Sequence, residues 1–527
     1  MDSPRHKLTG IGRKRPLALS IALITAGTAL AGLSVGSATA SAAGSDNPGT
    51  ASAVGADIPG TVDPAAQPRY ATFYRQTVTW ASCGTDAMPL QCARVRVPVD
   101  WSQPDGQVVS LALKRHLATG TRLGSLLLDP GGPGPSVLGF VASAVTGMDQ
   151  NLAVAYDFVG WDPRGSGESD PLTCPPGADA AFAAVDSSPD TLGERLAYEK
   201  AAAAWAKACQ RRSGPLFAHV DAGSSARDMD VLRAVLGDRK LTYAGFSYGT
   251  VLGTRYAELF PGRVGRMVLD SAADPRLDYA HWMDGNASAK EDALNGYLTT
   301  CADRSGCPFR SMTVPQARTW LLNLIERSDT HPLPVSKTDT VTQSMLYDAI
   351  YNLLIQPRGW PDLDQVLTGL RHGNAQPALE TSGEKDTDPP ISITNAAPLC
   401  LDLPDHRDAR QVMADAQRSE QRDPVFARPT IAGVNTVCAQ WPVPAAGQPH
   451  AVSAVGAPAI LVVGITHDTA GPYTWSQSLA TQLSSGRLLT FDGYGHGAVV
   501  ASTCARSIES SYLVSGVLPA IGTVCHS

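Results

Sequence analysis

The sequence predicts an α/β fold: a mainly parallel sheet with a helical cap inserted into it. Three observations predict it. Short apolar runs recur at 125–129, 156–161, 240–246, 265–270, 459–464 and 485–491, and helical segments fill several of the gaps. Over 275–454 the pattern changes to helical stretches separated by Pro- and Gly-rich loops, with few strand signals. Finally, Gly245-Phe246-Ser247-Tyr248-Gly249 stands between a β-prone run and a helical segment at 251–258.

The chain divides accordingly. Residues 1–42 read as a signal peptide, 43–68 as a leader or propeptide, 69–274 as the first part of the core, 275–454 as the cap, and 455–527 as the C-terminal part of the core. Arg13, Lys14 and Arg15 precede an apolar run at 17–35, and Ala40-Ser41-Ala42 offers a small-residue cleavage site. Gly27, Thr28 and Gly32 dilute that run, which favours a cleaved signal over a retained anchor, and no other stretch is apolar and long enough to span a bilayer. Lys14 between the two arginines argues against a twin-arginine signal. The leader is rich in Ala, Gly, Pro and Ser and lacks periodicity.

Loss of residues 1–42 removes five basic residues and one acid, which takes the formal net charge from −7 to −11. An acidic surface without basic runs argues against nucleic-acid binding and fits a soluble exported protein, expected to be extracellular, monomeric and free of the membrane. Its ten cysteines then read as disulfides. Sequence does not fix their connectivity. The simplest hypothesis pairs neighbours in order: Cys83–Cys92, Cys174–Cys209, Cys301–Cys307, Cys400–Cys438 and Cys504–Cys525, with reduced buried thiols as the alternative. No C-x-x-C pair or Cys/His cluster has zinc-ligand spacing, so no metal or other cofactor is expected.

The elements follow in order. Order begins near 74–80; 93–99 and 108–114 alternate like strands around Gln103-Pro104-Asp105-Gly106, a hairpin with turn chemistry at its tip. The apolar run 125–129 reads as a strand covered on both faces and leads into Pro130-Gly131-Gly132-Pro133-Gly134. The strand at 156–161 leads into Asp162-Pro163-Arg164-Gly165-Ser166-Gly167. Helices are expected at 191–212 and 224–237, in the cap at 288–302, 314–327, 343–355, 362–371 and 408–420, and at 504–514 near the end.

G-x-S-x-G between strand and helix is a nucleophile elbow: a turn so sharp that the serine backbone is strained and its neighbours must be small. A serine hydroxyl needs a general base, and the base an orienting carboxylate, in the chain order Ser, acid, His. Of the eight histidines after Ser247, His496 is best placed, in Gly493-Tyr494-Gly495-His496-Gly497, read as a glycine-rich loop after the last apolar strand. Asp468, 28 residues earlier, is the favoured acid; Asp270, at the end of the strand after the elbow, and Asp492, close to His496, follow in that order. The N–H groups of Gly132 and Tyr248 are the expected oxyanion donors, the glycines letting backbone approach a substrate carbonyl.

Together these pieces resemble the α/β-hydrolase fold and, within it, the proline iminopeptidase-type serine exopeptidases. The marks are Gly131-Gly132-Pro133-Gly134, Asp162-Pro163-Arg164-Gly165-Ser166-Gly167 and Gly245-Phe246-Ser247-Tyr248-Gly249-Thr250. The region from Ile460 through Asp468 and His496 to Cys504 and Cys525 is similar to the C-terminal segment of exported bacterial tripeptidyl aminopeptidases, so the resemblance covers about residues 70–527. It implies Ser247 as nucleophile, Asp468 as acid and His496 as base, in agreement with the residue-level reading, and a structural ion pair between Asp162 and Arg164. Two departures stand out. Pro130 takes the place of a histidine before the glycines, which weakens single-proline specificity, and Ala470-Gly471-Pro472 replaces a Thr-Pro after the acid.

The expected function is a secreted serine exopeptidase that releases short peptides, tripeptides by the resemblance, from peptide substrates with a free N-terminus. A cap carboxylate would pair with the substrate ammonium; Glu291, Asp292, Asp348, Asp362 and Asp364 are candidates the sequence does not rank. An esterase or lactonase using the same residues is the alternative, and a catalytically silent binding protein on the same scaffold a third reading.

Overall fold

Ten strands form one sheet in the computed structural model, which describes residues 67–134, 136–383, 388–433 and 436–526. The expected signal peptide and nearly all of the leader lie outside these residues. In chain order the strands are β1 (Ala81–Ser82), β2 (Gln91–Pro98), β3 (Val108–His116), β4 (Gly124–Asp129), β5 (Tyr156–Trp161), β6 (Leu241–Phe246) and β7 (Val264–Asp270). Two short strands in the cap, β8 (Leu333–Pro334) and β9 (Thr340–Val341), pair only with each other; β10 (Ile460–Asp468), β11 (Gly486–Gly495) and β12 (Val524–His526) complete the large sheet.

The sheet order is β1-β2-β3-β5-β4-β6-β7-β10-β11-β12. The β1–β2, β2–β3 and β3–β5 pairs are antiparallel, and every pair from β5 to β12 is parallel. The chain leaves β4 toward β5 on one side and returns to place β6 on the other. That reversal is a topological switch point, and it opens a crevice beyond the carboxyl ends of β4 and β6 where ligands bind in such sheets. Gly131-Gly132 and Ser247 leave the sheet at this crevice.

Alternation along the central strands supplies both layers of the core. Leu127, Val159, Tyr243, Met267 and Val462 face one layer, and Leu126, Leu128, Phe158, Ala244, Val268 and Val463 the other. Tyr279, Met283, Ala287, Ile393 and Val412 of the 275–454 segment pack into the first of these layers, while Tyr297, Leu321, Leu346, Leu363 and Phe426 meet in a separate cap core. The segment also docks on the sheet domain through aromatic pairs: Trp282 with Trp475 and Trp360 with Tyr494, at centroid distances of 5.3 and 5.5 Å.

All five disulfides join the neighbours in sequence order: Cys83–Cys92, Cys174–Cys209, Cys301–Cys307, Cys400–Cys438 and Cys504–Cys525. Among the described residues no helix is long and apolar enough to cross a membrane.

One expected contact is replaced by another. Asp162 and Arg164 do not pair with each other. The Asp162 carboxylate accepts from the amides of Val137 and Glu168 and the hydroxyl of Ser136, and so pins the turn that follows β5. The Arg164 guanidinium turns away to grip Asp228 through Nε (2.7 Å) and a terminal nitrogen (2.6 Å), and donates to the carbonyls of Pro98, Val99 and His219. Both side chains are fully buried. Arg164→Met would leave the Asp228 carboxylate buried without its counter-charge, and is expected to cost about 3–5 kcal/mol, read as a lower urea midpoint. The Arg164→Met/Asp228→Leu double variant should recover most of that loss.

Candidate active site

Ser247 follows β6 directly and has φ of 57°, a left-handed conformation in which a serine is strained. The turn is held from several sides: the Ser247 amide donates to the Asp270 carbonyl, the Tyr243 hydroxyl to Gly249 O, and the Thr250 hydroxyl to Ser247 O. A Cβ on Gly245 would lie 2.5 Å from the Gly249 carbonyl oxygen, and one on Gly249 2.6 Å from that of Asp129. Both flanking positions of the elbow therefore exclude any larger residue.

The β4 loop wraps against this turn. A Cβ on Gly131 would lie 2.8 Å from both Ser247 Cβ and Tyr248 N. The Gly131 amide is spent on Asp129 Oδ1, whereas the N–H groups of Gly132 and Tyr248 donate to no protein acceptor among the described residues. Beneath the loop, burial pushes the Asp129 carboxyl up to about 7, against the lowering by the Gly131 amide, and its Oδ2 has no partner.

Asp468 ends β10, opposite Gly495 in the parallel β10–β11 register, so the next residue, His496, comes alongside it. The imidazole Nδ1 is 2.7 Å from Asp468 Oδ1, with both side chains buried. Asp468 Oδ1 also accepts the Ala470 amide at 2.9 Å. Burial alone would push the imidazole pKa down; the charge and hydrogen bond of Asp468, with a contribution from Asp270, outweigh it and hold it above its ordinary value. Ser247 Oγ and His496 Nε2 are both buried and have no hydrogen-bond partner. Catalytic hydrogen bonds are often long or poorly aligned in free enzymes and tighten with substrate, so neither unpartnered atom tells against a catalytic role.

The other two acids sit elsewhere. Asp270 accepts the amides of Ala498 and Val499 at 2.9 and 3.0 Å, which anchors the backbone just after His496; burial raises its carboxyl to about 6. Asp492 accepts from the Thr466 hydroxyl on the exposed edge. Gly493, Tyr494 and Gly495, expected as a loop, continue β11, so His496 is the first residue beyond the strand.

The cap reaches this site at two places that the sequence does not reveal. Gln356 Nε2 donates to His496 O, and Thr469 Oγ1 donates to Ile355 O at 3.2 Å. On the other flank, the Tyr248 hydroxyl donates to Asp402 Oδ2 at 2.5 Å, and the Ala222 amide to Asp402 Oδ1. Burial and the neighbouring Asp221 raise the Asp402 carboxyl to about 7. Asp402 and Tyr248 line a cavity along the Gly249–Leu259 helix whose walls include Val251, Trp282 and Val452.

Of the expected cap carboxylates, Glu291 is held by Arg318 and the amides of Val425 and Phe426, and Asp364 by Arg304 and the Tyr297 hydroxyl. Asp292 pairs with His467 at 2.8 Å, Asp362 is exposed at a helix start, and Asp348 lies close enough to Lys290 to influence its charge. Among the described residues, one His/Cys/Asp/Glu group has the proximity to share an ion, Cys174, Asp179 and Cys209, and its two sulfurs are already joined.

Several known hydrolases are similar to this chain. Residues 423–525 match a family model described as TAP-like protein. The chain is 33% identical to the serine protease Hip1 of Mycobacterium tuberculosis over 474 residues, 85% of this chain and 91% of that one. It is 31% identical to the tripeptidyl aminopeptidase of Streptomyces lividans over 477 residues, 86% of this chain and 87% of that one. A carboxylesterase B of M. tuberculosis is 33% identical over 474 residues, 85% of this chain and 89% of that one.

Proposed function

Since the chain belongs to the TAP-like family of α/β-hydrolases and is, with them, a serine hydrolase, we propose that it is a secreted exopeptidase releasing short peptides, tripeptides foremost, from free N-termini. What supports this reading is a strained Ser247 at the end of β6, amides at Gly132 and Tyr248 that donate to no protein acceptor among the described residues, and the buried Asp468–His496 pair. Ser247 Oγ attacks the scissile carbonyl while His496 takes its proton, and the two amides receive the oxyanion. The imidazolium, stabilised by Asp468, then protonates the leaving amine, and water, activated by the same imidazole, releases the acyl peptide.

The ammonium of the substrate is assigned to Asp402. It lies one tyrosine side chain and one hydrogen bond from the oxyanion turn, a distance that two or three extended residues cover, each spanning about 3.3–3.6 Å. A cation there would favour the ionised carboxylate. Export is supported by the five disulfides. An esterase reading has its own support in the carboxylesterase B relative and in the apolar cavity walls.

Hydrolysis of four chromogenic substrates separates these: a free tripeptide amide, its N-acetylated twin, a single-residue amide and a short-chain ester. The free tripeptide should be cleaved at least tenfold better than its acetylated twin, and Asp402→Asn should erase that ratio chiefly through KM. Ester turnover without amide cleavage would leave an esterase.

A further inference from the structure

The proposed reaction assigns the two flanks of Ser247 to different parts of the substrate. The carbonyl oxygen must turn toward Gly132 and Tyr248, and the leaving amine toward His496, which protonates it. The residue after the scissile bond therefore lies on the His496–Asp468 flank. There the cap helix Gln343–Leu354 ends on the site, since its next two residues, Ile355 and Gln356, bond Thr469 and His496. One turn back stands Tyr351, close enough for its phenol to feel the Asp468 charge.

Tyr351 is 4% exposed, and its hydroxyl is buried with no hydrogen-bond partner. The Lys290 Nζ lies 4.2 Å from the centre of its ring and 5.9 Å from that of Phe426. No ion pair or hydrogen bond engages that ammonium among the described residues. Burial lowers its pKa to about 8, with Asp348 acting against the shift, so it stays mainly charged at neutral pH. Asn286, one turn earlier on the Tyr279–Cys301 helix, is 1% exposed and likewise leaves its Oδ1 without a partner. A half-buried ammonium and a buried phenol, neither with a hydrogen-bond partner among the described residues, beside a catalytic flank are a strong receiver for an anion.

We propose, resting on the exopeptidase reading above, that Lys290 and Tyr351 form a subsite for a carboxylate on the residue that follows the scissile bond. Lys290 Nζ supplies the counter-charge and Tyr351 Oη a hydrogen-bond donor. The carboxylate has two sources, an acidic side chain or the free C-terminus of a short peptide. With Asp402 receiving the ammonium on the opposite flank, an anion at one end and a cation at the other set the direction in which a short peptide lies.

The test uses one acyl tripeptide with four leaving residues: Glu-amide, Gln-amide, Ala with a free carboxylate, and Ala-amide. In the parent, kcat/KM for Glu-amide over Gln-amide, or for free Ala over Ala-amide, should be about 10- to 100-fold. The first ratio identifies a side-chain carboxylate, the second a C-terminal one. Lys290→Met should bring the ratio to about 1, Lys290→Arg should keep most of it, and Tyr351→Phe should lower it through KM. Cleavage of all four peptides at equal efficiency by the parent overturns the subsite and leaves the exopeptidase reading intact. Cleavage of none, with ester turnover retained, overturns both.

Discussion

Ser247→Ala is expected to lower kcat about a million-fold on every substrate, amide or ester, with the urea midpoint little changed. The chemistry demands the size of the loss. Without the hydroxyl no acyl-enzyme forms, and what remains is the oxyanion hole and substrate binding acting on a water that nothing holds in line. The small effect on stability also follows from the site. Ser247 Oγ makes no hydrogen bond, so its removal orphans no partner, and alanine has the same difficulty at φ of 57° as serine. Pre-steady-state measurement with an excess of an activated ester, whose burst reports acylation directly, should show no burst. A Ser247→Ala protein as active as the parent would remove the elbow from the mechanism.

Much of this site was legible because its signals are local. The elbow is five consecutive residues whose glycines are dictated by contacts of 2.5 and 2.6 Å, and such dictation leaves its mark in the sequence. The candidate acid and base needed one step more. Asp468 and His496 are 28 residues apart in sequence, and they meet because β10 and β11 are parallel neighbours in a register that sets Asp468 beside Gly495. Chain order anticipated that meeting without the register.

What was not legible is of a different physical kind. Arg164 finds Asp228 64 residues away, and Tyr248 finds Asp402 154 residues away across the insertion. No periodicity records such contacts, because a single buried polar pair needs a partner and not a pattern. Local propensity misled at boundaries too. The Tyr279–Cys301 helix starts at an Asp278 cap, earlier than expected, because Gly285, Asn286 and Ser288 dilute its first turns; the Ile393–Asp402 helix was not expected, and it carries Pro398 in its interior. The glycines of 493–495 suggested a loop, although pairing with β10 keeps them in the sheet. In each case tertiary contacts overrode the intrinsic preference.

Asp468→Asn and Asp270→Asn are expected to separate the two buried acids by both magnitude and pH. Asp468→Asn leaves the imidazole in place but removes the charge that stabilises its protonated form and selects its tautomer, so kcat should fall about 10⁴-fold. Its pH profile should move as well. In the parent, Asp468 holds the imidazole pKa above its ordinary value, and the base works only when neutral, so kcat/KM should rise with pH through that raised value. Without the Asp468 charge, burial dominates and depresses the imidazole pKa, which shifts the acid limb to lower pH in the residual activity. Asp270 acts differently, since its oxygens hold the Ala498 and Val499 amides and touch the imidazole only through charge. Asp270→Asn removes one acceptor from that backbone. It should therefore cost about 1–3 kcal/mol of stability for an orphaned buried amide, read as a lower urea midpoint, and reduce kcat far less than Asp468→Asn does. If Asp270→Asn carries the 10⁴-fold loss and Asp468→Asn only a stability cost, the acid of the mechanism lies at the end of β7, and the 2.7 Å contact to His496 is structural.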